Sequence, residues 1–363
     1  MSSEQNRRFF IRQFLATVGT LGGAAALSTS LSACSTLDEY LFEDHYDLKD
    51  QVLIIGGGLS GLQLAYLLKQ AKTEFRLFEG SSRFGGRVRS YQNYDLGGSL
   101  FSADSKHLQL LLKDFALTSE TFDKKNYFLP TGMETIVSHL VDRISGLMPY
   151  RNLRLKWRLV SIRKVNGSYN LLFDTPKGKR TFVSKRVVIA IPPSQWRSIA
   201  GLMELEDMRE AREWSTALKS ENIVKAIVPL PLQAKGGHLK SVIRYEDSLF
   251  DVRQVNKRGK TGSWAEVDFN FRESGESIEI QKLNEFMKRK MNLLVNYSKL
   301  GTENYFDWRE TKLIGGAYFR NALPWPESKK TYFQVIGDFA NSQNPYTMEG
   351  ALSAAAAAAE KLI

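Results

Sequence analysis

Val52-Leu53-Ile54-Ile55 is an unbroken apolar run, short enough for a strand and suited to one buried on both faces. A glycine-rich turn follows, and then Leu62, Ala65 and Leu68 recur at helical spacing. Phe75-Arg76-Leu77-Phe78 reads as a second strand, closed by Glu79 and Gly80. Further on, Leu155, Leu159, Val160 and Ile162 predict a strand, and the alternation Tyr169-x-Leu171-x-Phe173 predicts the other arm of a hairpin. Val187-Val188-Ile189-Ala190-Ile191 is a second buried run, stopped by Pro192-Pro193. Near the C-terminus Phe333, Val335 and Ile336 precede an alanine-rich stretch, including 354–359, that is a strong helix former. Strands alternating with helices predict an α/β fold with a parallel sheet.

The turn after the first strand reads Gly56-Gly57-Gly58-Leu59-Ser60-Gly61. In such a strand–turn–helix unit the first glycine permits the tight turn, the second admits a pyrophosphate to the backbone, and the third lets helix and strand pack closely. The helix N-terminus then offers unpaired N–H groups and a positive dipole to the phosphates. Glu79, 23 residues beyond Gly56, stands where a carboxylate accepts both hydroxyls of an adenosine ribose. Strand, turn, helix and acid in register predict a Rossmann-like nucleotide-binding domain.

Ser81-Ser82-Arg83-Phe84-Gly85-Gly86-Arg87 comes next, then Asp95-Leu96-Gly97-Gly98-Ser99. With Glu79 and Gly80 before them, these segments resemble the flavin-containing amine oxidase family, the monoamine and polyamine oxidase group. The resemblance implies FAD, with Gly86, Gly97, Gly98 and Ser99 close to it and Arg87 compensating phosphate charge. Gly337-Asp338 and Tyr346-Thr347-Met348-Glu349-Gly350-Ala351 repeat it at the other end of the chain. There it implies that the Gly-Asp pair binds the ribityl chain and that Thr347, Met348 and Ala351 belong to a turn whose N–H groups meet the flavin N1/O2 edge. Val160 matches the residue whose backbone meets the adenine. FAD contacts drawn from the beginning, middle and end of the sequence imply a discontinuous FAD domain of 49–100, 130–199 and 321–363. An inserted α+β substrate domain would then comprise 101–129 and 200–320.

The resemblance also implies hydride transfer to flavin N5 from a carbon next to nitrogen, with an imine product that hydrolyses. Trp308 and Gly315-Gly316-Ala317-Tyr318 resemble the segment that carries a tyrosine beside the flavin ring. Some members hold the flavin covalently through a cysteine at the position of Ala317; alanine implies noncovalent FAD. Thr347 stands where monoamine oxidases have the second tyrosine wall, so a two-tyrosine cage is not expected. The family lysine tied to oxygen reactivity is not found after Pro192-Pro193, and Lys225 reads as a structural strand residue. This implies slow reoxidation by O₂ and a different, unknown electron acceptor. Two other readings stay open: a desaturase or isomerase acting on an apolar substrate, and a flavin-binding envelope protein without turnover.

Composition narrows the setting. The chain has 363 residues with 43% hydrophobic and 25% charged, an ordinary globular balance. Its net charge of +11 suits an anionic cofactor or lipid surface. No nucleic-acid-binding signature accompanies it, so no nucleic-acid partner is expected. The four histidines, His45, His107, His139 and His238, lack metal-ligand spacing, and no metal is expected. Arg7-Arg8-Phe9-Phe10-Ile11-Arg12 precedes a weakly apolar, acid-free stretch over 14–27, which resembles a twin-arginine export signal. Leu31-Ser32-Ala33-Cys34 resembles a lipobox, which makes 1–33 a signal peptide, Cys34 the lipidated first mature residue and 34–48 a linker. Ser35 is not the retention-type aspartate, which favours the periplasmic face of an outer membrane over an inner one.

Overall fold

A computed structural model describes residues 48, 50–91, 93–146, 152–230, 240–245, 248–255, 263–271, 305–308, 313, 318–321, 323–326 and 330–363. The N-terminal segment with Cys34 and residues Gly315, Gly316 and Ala317 lie outside them. Along the chain run β1 (Val52–Ile55), helix α1 (Leu59–Gln70), β2 (Phe75–Glu79), α2 (Lys106–Asp114) and α3 (Glu134–Ser145). Next come β3 (Leu153–Leu155), β4 (Arg158–Val165), β5 (Ser168–Thr175), β6 (Gly178–Ser184), β7 (Arg186–Ile189) and α4 (Arg209–Ser215). The remainder comprises β8 (Lys219–Leu230), β9 (Lys240–Tyr245), β10 (Ser248–Val255), β11 (Ser263–Phe271), β12 (Tyr305–Asp307), β13 (Tyr318–Arg320), β14 (Phe333–Val335) and α5 (Met348–Leu362).

Five strands form a parallel sheet in the order β14-β7-β1-β2-β3. From β1 the chain builds outward through β2 to β3, then returns to place β7 and β14 on the other side. The order therefore reverses between β1 and β7, and a ligand crevice is expected beyond the carboxyl ends of these two strands. The alternation of β1 explains why its apolar run is unbroken. Val52 and Ile54 enter a core with α1, α2, α3 and α5, whereas Leu53 and Ile55 enter a second core on the opposite face. That second face is covered by the antiparallel sheet β4-β5-β6, where Phe78 of β2 meets Phe173 at 4.4 Å between ring centroids.

Alanine fixes how α5 packs: Ala354, Ala355, Ala358 and Ala359 are buried in the same core as α1. Side chains this small let two helices approach closely. Leu108, Leu111 and Leu112 of α2 enter this core too. The helix of segment 101–129, assigned from the sequence to the substrate domain, therefore packs with the helices of the parallel sheet. A separate antiparallel sheet, β9-β10-β11-β8-β12, with β13 also paired to β8, occupies 219–320. Among the described residues, no helix is long and apolar enough to cross a membrane.

Candidate functional site

Three glycines set the turn after β1. Gly56 has φ +114°, a region closed to most residues, and a Cβ there would lie 2.4 Å from the Ala190 carbonyl oxygen. A Cβ on Gly61 would lie 2.0 Å from the Gly56 oxygen, so α1 sits directly on the turn. Gly58, by contrast, faces open space, with no protein atom within 4 Å of where its Cβ would be. The N-terminus of α1, with Leu59, Ser60 and Gly61 in its first turn, opens at this gap.

Glu79, at the end of β2, is fixed by two amides. Gly57 N–H donates to Oε2 and Ser81 N–H to Oε1, each at 2.7 Å. An ionised carboxylate has about four acceptor sites, so both oxygens retain capacity for hydroxyl donors. The second glycine pair lies against the first, because Gly85 N–H donates to the Gly57 carbonyl at 2.8 Å and a Cβ on Gly86 would come within 3.1 Å of Gly58 Cα. Arg83 maintains this loop, donating to the carbonyls of Phe84 at 2.8 Å, Val88 at 3.1 Å and Gly86 at 2.5 Å. Val160 falls at a bulge in β4, where Leu159 pairs with Phe173 and Ser161 with Leu172. Its carbonyl accepts from Ala200 N–H at 3.0 Å. The turn into β4 bonds to the Glu79 carbonyl through Trp157 N–H at 2.8 Å, which ties the start of β4 to the end of β2.

The C-terminal motif meets these loops. Gly337 and Asp338 follow β14, and the Asp338 carboxylate makes a bidentate ion pair with Arg87, of which Nη1 to Oδ2 is 2.9 Å. Gly98 N–H donates to the Arg87 carbonyl at 3.2 Å, and a Cβ on Gly98 would lie 2.8 Å from Met348 Sδ at the start of α5. Thus 56–61, 79–87, 97–99, 337–338 and 347–351 converge outside the carboxyl ends of the parallel strands. An open glycine face, two helix N-termini, a preset carboxylate and a paired arginine fit an FAD diphosphate, ribose and ribityl chain.

The comparisons with known proteins settle the family. Residues 54–115 match the NAD(P)-binding Rossmann-like domain, and 119–363 match the flavin containing amine oxidoreductase family. The chain belongs to the flavin-containing amine oxidoreductase family. Its cofactor is FAD. An L-amino-acid oxidase of the snake Sistrurus catenatus edwardsii is 35% identical over 108 residues, 28% of this chain and 20% of that protein. One from the fish Siganus canaliculatus is 29% identical over 130 residues, 31% of this chain and 25% of its own length. The matched stretch thus spans about a fifth to a quarter of these relatives. In fold, the chain resembles cyclohexylamine oxidase from Brevibacterium oxydans, with TM-score 0.68 and 14% identity over 86% of this chain and 99% of that one. It also resembles putrescine oxidase bound to putrescine, with TM-score 0.63 and 12% identity over 86% and 98% of the two chains.

Within this amine oxidoreductase fold the residues expected near the substrate divide. Trp308 is buried, and its indole N–H donates to the Leu96 carbonyl at 2.9 Å. It supports the 95–99 loop from behind. Thr347 is the N-cap of α5, its hydroxyl accepting from Gly350 N–H at 3.0 Å and donating to the Asn344 carbonyl at 2.7 Å. The neighbouring Tyr346, at φ +65°, turns its phenol onto the backbone of Asn321, accepting from its N–H at 2.7 Å. Tyr318 is placed by its backbone, in β13 opposite Glu221 of β8.

Two residues of the site were not assigned to it from the sequence. Lys225 of β8, read as a structural strand residue, is 3% exposed and donates its ammonium to the Gly97 carbonyl at 2.6 Å, with Ser99 Oγ at 3.4 Å. The available signal was a single charge inside the apolar run Ile223-Val224-Lys225-Ala226-Ile227-Val228, where a cation is costly unless partnered. Glu349 is the other. Its buried carboxylate accepts from His107 N–H at 3.0 Å and Leu108 N–H at 3.1 Å, and contacts His107 Nδ1 at 2.8 Å. It caps α2 from the first turn of α5, an arrangement with no local sequence signature.

Proposed function

We propose that the protein oxidises a small amine at the carbon next to nitrogen, with noncovalent FAD held at the crevice beyond β1 and β7. The observation that carries this reading is the convergence of five motif segments on one crevice, within a chain of the amine oxidoreductase family. When bound, FAD supplies the hydride acceptor at flavin N5. The Gly58 face and the first turn of α1 hold the diphosphate, Glu79 accepts the ribose hydroxyls, and the Val160 backbone meets the adenine. Asp338, held by Arg87, faces the ribityl chain. The Gly350 and Ala351 amides are taken by the Thr347 hydroxyl and carbonyl, so those of Met348 and Glu349 at the start of α5 would meet the N1/O2 edge, where a helix N-terminus favours the negative charge that develops on reduction. Tyr318 supplies an aromatic wall that orients an uncharged amine, since hydride leaves a carbon only when the adjacent nitrogen can donate its lone pair.

The burial of Lys225 against the Gly97 carbonyl makes it a candidate for the role that the family resemblance gives to a lysine. If it fills that role, reoxidation by O₂ is fast, and molecular oxygen is the first electron acceptor to test. In the cell, the chain is exported through the twin-arginine signal and held on a membrane by acylated Cys34. Burial of an acyl chain contributes about 0.8 kcal/mol per CH₂, and Cys34→Ser is expected to move the protein from the membrane to the soluble fraction.

The deciding experiment is anaerobic titration of the FAD-loaded protein with diamines, cycloalkylamines and L-amino acids. Bleaching of the visible flavin bands by one class supports amine oxidation and names the substrate class. If every class leaves the bands intact while dithionite bleaches them, the reading fails. Acid precipitation that leaves the flavin in the supernatant verifies that it is not covalently bound.

A further inference from the structure

The positive charge of this chain is concentrated. Between 154 and 186 there are ten Lys and Arg residues against one acid, Asp174, a local charge of +9 within a chain total of +11. This stretch runs from Arg154 of β3 through β4, β5 and β6, which with their turns carry six of the ten, to Arg186 of β7. One face of the sheet is apolar and buried, carrying Leu159, Ile162, Tyr169, Leu171 and Phe173. The registers Arg158–Asp174–Lys179 and Arg163–Asn170–Val183 place Arg158, Arg163 and Lys179 together on the opposite face.

Carboxylates offset only part of this charge. Arg158 pairs with Asp174 at 3.4 Å, Lys185 with Asp50 at 3.5 Å, and Lys164, on the inner side, with Asp207 at 2.8 Å. Within 158–184, and counting Asp207 against Lys164, this leaves a net +4 on the sheet and its turns. Arg163 and Lys179 are exposed on the outward face, and Lys177 is exposed in the turn between β5 and β6.

We infer that this outward face of β4-β5-β6 docks on an anionic lipid surface. Two observations favour lipid headgroups over nucleic acid. First, the outward positions of the three strands are Arg, Ser, Asn, Leu, Asp, Lys, Thr and Val. They hold no aromatic ring on which a base could stack, whereas a planar array of headgroups requires only a broad positive field. Second, the chain enters the folded unit beside this sheet: Ser184 Oγ donates to the Gln51 carbonyl at 2.7 Å, and Asp50 takes the Lys185 ion pair. Cys34 precedes Leu48 by 14 residues, a reach of at most about 50 Å. An acyl group there would hold the entry of the chain, and this sheet beside it, within that reach of the membrane. The second argument rests on the lipoprotein reading of Cys34; the charge argument does not.

The test uses the full-length, FAD-loaded chain carrying Cys34→Ser, so that no acyl anchor contributes. Sedimentation with phosphatidylcholine vesicles, with and without phosphatidylglycerol, reads binding. Binding is expected only to the phosphatidylglycerol vesicles and should disappear in high salt, where the Debye length shrinks to about 3 Å. The variant Arg163→Glu/Lys177→Glu/Lys179→Glu should lose at least about a hundredfold in partitioning. A control with the same charge change elsewhere, Lys113→Glu/Lys124→Glu/Lys125→Glu, should lose much less. Retained flavin absorbance in both variants verifies that they fold. The inference is overturned if wild type ignores anionic vesicles, if the two variants lose equally, or if the chain binds random duplex DNA more tightly than anionic vesicles at the same ionic strength. Because Cys34 is replaced throughout, a failed anchor and a failed docking face give separate results.

Discussion

Gly58 and Gly61 are three residues apart and meet opposite demands. Gly61 has no room for a side chain, since its Cβ would overlap the Gly56 oxygen at 2.0 Å. Gly61→Ala must therefore push α1 off β1, and overpacking of this kind costs about 1–3 kcal/mol, read as a lowered Tm of the cofactor-free protein. Gly58 lies in extended backbone at φ −72° and ψ −179° with open space ahead of it, so a side chain there strains nothing in the protein itself. Lys225 makes the third residue-level case. Lys225→Met removes a buried ammonium and leaves the Gly97 carbonyl without its donor. Stopped-flow mixing of the reduced enzyme with O₂ should show reoxidation slowed at least about tenfold relative to wild type if the lysine promotes that step. Unchanged reoxidation would return Lys225 to a structural role.

At the scale of elements, what was legible in the sequence was what is local or periodic. β1, α1 and β2 follow from a buried run, a helical repeat and the spacing to Glu79, and the structure has them at Val52–Ile55, Leu59–Gln70 and Phe75–Glu79. Partnerships across the chain were not legible, because nothing in either partner's neighbourhood encodes them. Arg87 and Asp338 are 251 residues apart and were each assigned to the cofactor alone, yet they pair with each other. Glu349 caps α2 from 242 residues away. This capping joins α2 to α5, whose N-terminus borders the crevice. Glu349→Gln keeps one acceptor but loses the charge, and a charge-assisted bond is roughly twice as strong as a neutral one. Faster amide hydrogen exchange at the start of α2, with the parallel sheet unchanged, is the expected result; equal exchange would show that the carboxylate does not hold the two helices together.

For the whole molecule, a buried carboxylate sets the response to acid. Asp207 has a side chain only 4% exposed. It accepts from Lys164 Nζ at 2.8 Å and the Tyr169 hydroxyl at 2.7 Å, with Lys330 at 3.5 Å. Burial pushes its pKa up, but the hydrogen bonds from Lys164 and Tyr169 and the nearby lysine charges outweigh it, and the net direction is downward. The folded value thus lies below the unfolded one of about 3.9. Stability from this group is complete above the unfolded pKa and is lost as pH falls through the folded one. Asp207→Asn should lower Tm at neutral pH, and the gap from wild type should narrow below about pH 4. A gap independent of pH would mean that the cluster contributes through packing alone. Burial and Asp207 together raise the Tyr169 phenol's pKa far above its ordinary value, so it remains a donor throughout this range.

The placement of FAD over the open glycine face is tested most directly by titrating the cofactor-free protein with FAD and following flavin fluorescence, for wild type and Gly58→Val. Tight binding by wild type is expected, with affinity lost at least about a hundredfold in the variant and its cofactor-free Tm within a degree or two of wild type. Equal affinity in the two proteins would place the diphosphate elsewhere and contradict the site described above.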